Sequence, residues 1–362
     1  MHTPLCDTLG IEHPIVGFTP SEHVAAAISR AGGLGVLGCV RFNDAADLAK
    51  VLDWMDDNTD GKPYGVDIVM PAKVPTEGAA IDLDKLIPPG HKDFVERTLQ
   101  RLGVPPLADE GRAGVLGWLH SVARSHVDVA LEHPVKLIAN ALGSPPADVI
   151  ARAHDHGVLV AALAGKAEHA RSHVANGVDL VVAQGYEAGG HTGEIATMVL
   201  VPEIVDAVDV PVLAAGGIGS GRQVAAALAL GADGVWMGSY WLTTEEYTQS
   251  LGESAMQEAL LGASSSDTVR TRIYTGKPAR LLKTKWTDAW ASDDAPEPLP
   301  MPLQNLLVAE AHNRIHRAND PAVVSMPVGQ IVGRMSAVRP VADVMATLLS
   351  ETEETLGRLK NL

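Results

Sequence analysis

Short runs rich in Val, Ile, Leu and Ala alternate along the chain with longer stretches whose apolar residues recur every three or four positions. The short runs predict buried strands, because a strand covered on both faces shows no polar alternation. They fall at residues 14–16, 34–37, 64–69, 135–139, 158–163, 180–183, 212–215 and 234–237. The longer stretches predict amphipathic helices at residues 21–31, 44–56, 146–156, 166–176, 198–208 and 222–230. Ser21 suits an N-cap, and Gly177 and Gly231 suit helix stops. Eight such strands with helices between most of them, over about 240 residues, predict a (β/α)8 TIM barrel. A doubly wound parallel sheet is the alternative.

Two segments depart from the repeat. Residues 71–125 are punctuated by Pro71, Pro75, Pro88, Pro89, Pro105 and Pro106, and read as an insertion on one βα-loop. Loops of that length are usually lids or covers. After Thr243 the repeat stops. Residues 264–267 are a polar break, and residues 293–302 read as an acidic, Pro-rich linker. Val341, Val344, Met345, Leu348, Leu349, Thr352, Leu356 and Leu359 then mark one face of a long helix. The expected division is a barrel over residues 1–243, carrying the insertion, and a smaller, mainly helical covering region over residues 244–362.

Composition narrows the function class. With 46% hydrophobic and 20% charged residues the chain can build a core. The net charge of −16, from 28 basic and 44 acidic residues, argues against a nucleic-acid-binding body, which needs clustered Lys and Arg. No uncharged apolar run reaches the about 18 residues of a membrane span. Cys6 and Cys39 are too few for a disulfide framework, and residues 1–7 lack a basic stretch followed by an apolar one. Reduced thiols in a cytoplasmic protein are therefore expected. A small-molecule partner is expected, and the oligomeric state stays open.

Three glycine clusters carry the candidate chemistry. Gly33, Gly35 and Gly38 match G-x-G-x-x-G, but here a helix precedes and the glycines occupy a strand. The dinucleotide motif needs the reverse order, so close helix-on-strand packing is the better reading. Gly216, Gly217, Gly219 and Gly221 run from a strand into a helix starting near Arg222. There backbone N–H groups can approach an anion, and the helix dipole favours negative charge. One βα unit later come Gly238 and Ser239, so two turns after the last two strands predict a phosphate site. The third cluster, residues 184–193, places Gln184, Glu187 and His191 among four glycines on the loop after the sixth strand. A histidine framed by Gly190 and Thr192 on that face reads as functional. His169 with His173, and His312 with His316, have i,i+4 spacing that can hold a metal, but no third ligand lies nearby in sequence. Trp286 and Trp290 read as covering the barrel mouth.

The run Gln184-Gly-x-Glu187-Ala-Gly-Gly-His191-x-Gly193, followed by Ala214-Ala-Gly216-Gly217-Ile and Met237-Gly238-Ser239, resembles the nitronate monooxygenase family, formerly called 2-nitropropane dioxygenases. Ala31-Gly-Gly-Leu-Gly35 is similar to the same family, and the likeness runs from about residue 14 to residue 242 outside the insertion. The resemblance implies an FMN-binding TIM barrel with a smaller covering domain. By matching positions, it implies that Gln184, Gly185 and Gly190 lie against the flavin. Gly216, Gly217, Gly238 and Ser239 would hold the FMN phosphate, and His191 would be the active-site histidine. His191 would serve as base or hydrogen-bond partner, since an imidazole ordinarily titrates close to working pH. The implied reaction is oxidation of a small alkyl nitronate, or a related small acid or carbonyl compound, with O2.

Three positions depart from the family pattern. Val16-Gly-Phe18-Thr-Pro20 stands where the family has a Met-containing loop. Asp67 stands where it has Asn, which implies an extra negative charge beside the flavin. Tyr240-Trp241 replaces the usual Arg-Phe. Losing a cation and gaining a carboxylate keep two other readings open. One is an NAD(P)H-dependent flavin reductase of an enoyl thioester or quinone. The other is a flavin-binding or cofactor-free protein without catalysis.

Overall fold

The computed structural model describes residues 1–70, 83–107, 120–252 and 254–362. The chain starts with α1 (Pro4–Leu9), then runs β1 (Ile15–Thr19), α2 (Glu22–Arg30), β2 (Leu34–Gly38), α3 (Ala45–Asn58) and β3 (Tyr64–Asp67). Next come α4 (Pro89–Arg101), α5 (His120–Ala130), β4 (Leu137–Asn140), α6 (Ala147–Asp155), β5 (Leu159–Ala164), α7 (Ala167–Ala175) and β6 (Leu180–Gln184). A two-residue strand β7 (Gly190–His191) leads to α8 (Thr197–Val205), β8 (Val212–Ala215), α9 (Gly221–Ala229) and β9 (Gly234–Met237). Beyond these lie α10 (Glu245–Leu251), α11 (Ser254–Leu261), β10 (Thr268–Thr271), β11 (Ala279–Leu282), α12 (Lys285–Trp290), α13 (Leu303–Ala318) and α14 (Val341–Lys360).

Eight strands close into a TIM barrel in the order β1-β2-β3-β4-β5-β6-β8-β9. All neighbours are parallel, and β9 returns to β1 with Gly17 opposite Met237. Their near-continuous apolar sequence follows from burial on both faces. Inside, Val16, Leu34, Val36, Leu137, Leu180, Leu213 and Trp236 pack in one cluster, which Leu5 and Leu9 of α1 complete from the N-terminal end. Ser21 caps α2 as expected, its side chain accepting from Val24 N at 3.2 Å. β1 runs three residues past its expected end. Gly17, inside the strand, is a point of close approach: a Cβ there would lie 2.4 Å from Ile28 Cδ1.

Residues 71–82 and 108–119 of the expected insertion lie outside the described residues. Within it, α4 joins a core with the C-terminal part of the chain, where Phe94 and Leu99 meet Trp286, Trp290 and Val308. Buried Arg314 on α13 fastens this contact, donating to Pro105 O at 3.0 Å, Val104 O at 3.1 Å and Glu96 at 2.6 Å. α5 starts before residue 125 yet belongs to the barrel. Its Ala123, Val127 and Ala130 pack in the core shared with α3 and β3.

The final amphipathic stretch does not act as a cover. α14 packs on α9 and α2, which is the position of the eighth barrel helix. A Cβ on Gly221 would stand 2.3 Å from Thr352 N, so the two helices touch at that glycine. Burying Val344, Met345 and Leu348 stabilises this docking by about 1.5–3 kcal/mol per side chain. The covering region thus leaves the barrel after β9 and returns to it. It is mainly helical, with one small sheet: β10 and β11 form an antiparallel pair, and β11 also pairs with β7. Among the described residues no helix is long and apolar enough to cross a membrane.

Candidate active site

Parallel closure sends the C-terminal ends of all barrel strands to one mouth. Phe18 of β1 stacks on Trp236 of β9, with centroids 6.2 Å apart. A Cβ on Gly38 would lie 3.1 Å from the Phe18 ring, and one on Gly238 would lie 3.7 Å from it. Gly38 leaves room for this aromatic floor, whereas a side chain at Gly238 would meet the ring only at ordinary contact distance.

The turn after β8 holds Gly216 at φ 104° and Gly217 at φ 69°, a region L side chains rarely adopt. The N–H groups of Gly217 and Ile218 donate to no acceptor among the described residues. Across from them, Ser239 Oγ accepts from Gly329 N at 2.9 Å, which leaves its own hydrogen to donate outward. The first turn of α9 contributes less than expected. Gly219 N donates to Gln223 Oε1 at 3.0 Å, and Gly221 N donates to the Glu351 carboxylate at 2.8 Å. An anion at this mouth is therefore served by the loop N–H groups, since the helix end is already matched with a negative charge. Sequence reasoning missed the segment that completes the cradle: Gln330 N donates to Glu187 O at 2.9 Å, and Ile331 packs over Gly219. A lone Gly-Gln pair carries no local signal.

The loop after β6 is tightly folded. A Cβ on Gly185 would fall 2.1 Å from Thr197 Oγ1, and one on Gly189 would fall 2.7 Å from Val328 C. Glu187, grouped by sequence with the candidate chemistry, caps α8 instead. Its carboxylate accepts from Thr197 N at 2.9 Å and Thr197 Oγ1 at 2.8 Å, a service that Ala196 at the N-cap cannot give. Two arginines of the β10–β11 pair grip the loop at either end. Buried Arg280 donates to Tyr186 O at 3.0 and 3.2 Å and lies 4.4 Å over its ring; Arg270 donates to Thr192 O at 3.2 Å. Neither had a sequence signal, since each acts on a backbone carbonyl about 80 or more residues away.

His191 sits on β7 opposite Ala279. Its Nε2 is 2.7 Å from Thr275 Oγ1. The ring keeps some exposure, yet the packing around it, aided by the Lys277 charge, pushes its pKa down to about 4. The imidazole is thus neutral at pH 7, a correction to the expectation that it titrates there. Asp67 ends β3 four strands round the barrel from β8, 3% exposed, with no hydrogen-bond or ion-pair partner among the described residues. Burial pushes its pKa up to about 7. Neighbouring Asn140 is by contrast fully used. Its amide donates to Met70 O and Gly143 O, both at 3.0 Å, and its oxygen accepts from Met70 N at 3.0 Å. Gln184, half-buried, ends β6 opposite Ala215.

One histidine of each i,i+4 pair is occupied elsewhere. His173 bridges Ser144 Oγ at 2.7 Å and Leu163 O at 3.1 Å. His312 stacks on Tyr274 with centroids 4.9 Å apart. Among the described residues no group of three or more His, Cys, Asp or Glu could hold a metal ion. Trp286 and Trp290 lie in the core of the covering region, not across the mouth.

The family description "Nitronate monooxygenase" matches residues 2–351. The chain belongs to that family. A relative from Mycobacterium tuberculosis, named "Putative monooxygenase Rv1533", is 50% identical over all of this chain and 99% of its own. Among solved structures, a nitroalkane oxidase from Streptomyces ansochromogenes superposes with a TM-score of 0.82 at 28% identity, covering 98% of this chain and 99% of its own. FabK from Thermotoga maritima superposes at 0.75 with 29% identity, covering 100% and 99%.

The nitronate monooxygenase family is one of flavin-dependent oxidoreductases acting on small molecules, and this chain is such an enzyme. The residues present fit a flavin. The unpaired N–H groups at Gly217 and Ile218 and the Ser239 hydroxyl suit one phosphate. At Gly238 a Cβ would take up the open space, its nearest neighbour being 3.7 Å away. Gln184, Asp67 and the loop of Gly185, Gly190 and His191 belong to other strand ends of the same mouth.

Proposed function

We propose that the chain is an FMN-dependent nitronate monooxygenase that oxidises small alkyl nitronates with O2. The observation that carries this reading is the single-phosphate cradle between Gly217–Ile218 and Ser239 at the barrel mouth. One phosphate fits FMN. The alternative dinucleotide motif is spent on packing, because a Cβ on Gly35 would fall 1.9 Å from Ala25 O. Gly216, Gly217, Gly238 and Ser239 would hold the phosphate, and Gln184, Gly185, Gly190 and Asp67 would lie along the rest of the cofactor. Bound flavin supplies the acceptor for substrate electrons and their delivery to O2.

The chain's own task is to bind the substrate, orient it and move a proton. His191, neutral and held through Nε2, is placed to accept a hydrogen bond or a proton from a substrate over the mouth. Arg270 and Arg280 keep its loop in place. Buried, free Cys6 and Cys39 suit a reducing, cytoplasmic setting.

Asp67 favours a second reading, an NAD(P)H-dependent flavin reductase of an enoyl thioester or quinone. A buried carboxyl in the mouth disfavours an anionic substrate if it ionises. The experiment is anaerobic addition of ethyl nitronate or NADH to the purified yellow protein. Bleaching by the nitronate supports the first reading, and bleaching by NADH alone supports the second. A colourless protein that refuses added FMN overturns both.

A further inference from the structure

The carboxyl of Asp67 differs from the polar side chain next to it, Asn140 at the end of β4. Asn140 beside it satisfies its amide within the protein, whereas Asp67 is buried without a donor or a cation. An unpartnered buried carboxyl strongly prefers to hold its proton. The groups packed around it do not relieve this. On the β2 side Gly38 faces it in the ladder, and the following Cys39 is a buried thiol that burial and Asp67 itself hold far above the usual range. Arg41 pairs with Glu22 at 2.6 Å and lies 4.2 Å over Phe42. His23 of α2 lies tilted against Trp54, with ring centroids 4.3 Å apart. On the β4 side its partner is Ala139. On β3 itself the Tyr64 hydroxyl is bonded to Asp56.

We propose that Asp67 couples flavin binding to a proton: the neutral carboxyl donates its hydrogen to an acceptor of the flavin, and the cofactor is released as the carboxyl ionises. The inference rests on the FMN reading above and assigns Asp67 a chemical role within it. A ligand anchored by phosphate at β8 and β9 and reaching across the mouth arrives at β3, four strands away. In the apoprotein the carboxyl titrates near neutrality. Above that range each FMN bound takes up one proton from solvent, which forms the O–H bond of the Asp67 carboxyl, and no bond between heavy atoms is made or broken.

The test is dilution of purified holoenzyme between pH 5.5 and 8.5, with released flavin read by its fluorescence. Wild type should hold FMN with constant Kd at the acid end and lose affinity by up to about tenfold per pH unit at the alkaline end. Asp67→Asn keeps a hydrogen-bond donor that does not titrate, so its profile should lack that loss. Asp67→Ser, also neutral and smaller, should show the same shape at weaker affinity, and far-UV circular dichroism checks that each variant folds. The FMN phosphate titrates nearby, but it is common to all three proteins, so only the difference between profiles reports Asp67. Parallel profiles for wild type and both folded variants would overturn the proposal and leave the FMN reading standing. Wild-type protein that retains no FMN at any pH would overturn the FMN reading itself.

Discussion

His191 Nε2 and Thr275 Oγ1 lie 2.7 Å apart, joining the loop after β6 to the β10–β11 pair. The Thr275 hydroxyl oxygen receives Lys277 N–H at 3.4 Å, and its second lone pair takes the Nε2 hydrogen of His191 in the tautomer that leaves Nδ1 free to accept a proton. Thr275→Val keeps the shape and removes that orientation. Turnover of a neutral nitroalkane should fall about tenfold while flavin content is unchanged, the order expected for a lost neutral hydrogen bond. Thr275→Ser should restore most of the rate. Loss of flavin in the valine variant would assign Thr275 to folding alone.

His191→Asn should slow flavin reduction by a neutral nitroalkane by about 10²–10⁴-fold, the range of a general base. Reduction by a preformed nitronate, already deprotonated, should slow less. Equal losses with the two substrates in stopped-flow traces would return His191 to a structural role.

The depressed pKa of His191 sets its pH signature. Its ionisation should leave no inflection near pH 6.5 in kcat/KM, and its acid limb should appear near pH 4. Stability follows the same group. The folded state binds fewer protons than the unfolded chain between about pH 6.5 and 4, so His191 lowers stability as pH falls through that window. A melt series comparing wild type with His191→Asn should show the wild type losing more over that range.

Gly217→Val puts a β-branched side chain at φ 69°, with strain of about 1–3 kcal/mol, and fills the approach to the cradle. The protein should fold with a lower Tm and purify without flavin. Full flavin content would remove Gly217 from the phosphate site.

Arg314→Ala leaves two carbonyls and Glu96 without their donor between α4 and α13. Stability should drop by about 2–4 kcal/mol. Limited proteolysis should then cut near residues 104–105 sooner than in wild type. An unchanged cleavage rate would show that the apolar contacts of Phe94 and Leu99 hold α4 alone.

Most of the barrel was legible because parallel strands are buried on both faces and their apolar runs need no tertiary knowledge. β10 was not, since Thr-Val-Arg-Thr is half-exposed and lacks both a continuous run and a clean alternation. The apolar face of α14 was visible, but its destination was not: the same stripe would serve a cover or a barrel wall. Gly216 and Gly217 announced themselves because a turn at positive φ demands glycine. Thr275, Arg280 and Gly329 act on residues 84 to 94 positions away and left no local pattern. Glu187 misled for a related reason, since a carboxylate looks the same in sequence whether it meets a substrate or a helix end.

The place of α14 between α9 and α2 also governs the order of assembly. A ribosome adding roughly 5–20 residues per second delivers residues 341–360 more than a hundred residues after β9. Until then α2 and α9 carry a bare apolar seam, and Gly221 lacks the Glu351 carboxylate on its N–H. The nascent barrel is a ring with one stave missing, and everything from α10 to α13 lies in the chain between β9 and that stave. The covering region is consequently a closed excursion tethered at both ends, so a cut behind residue 340 would open the barrel wall rather than remove a lid.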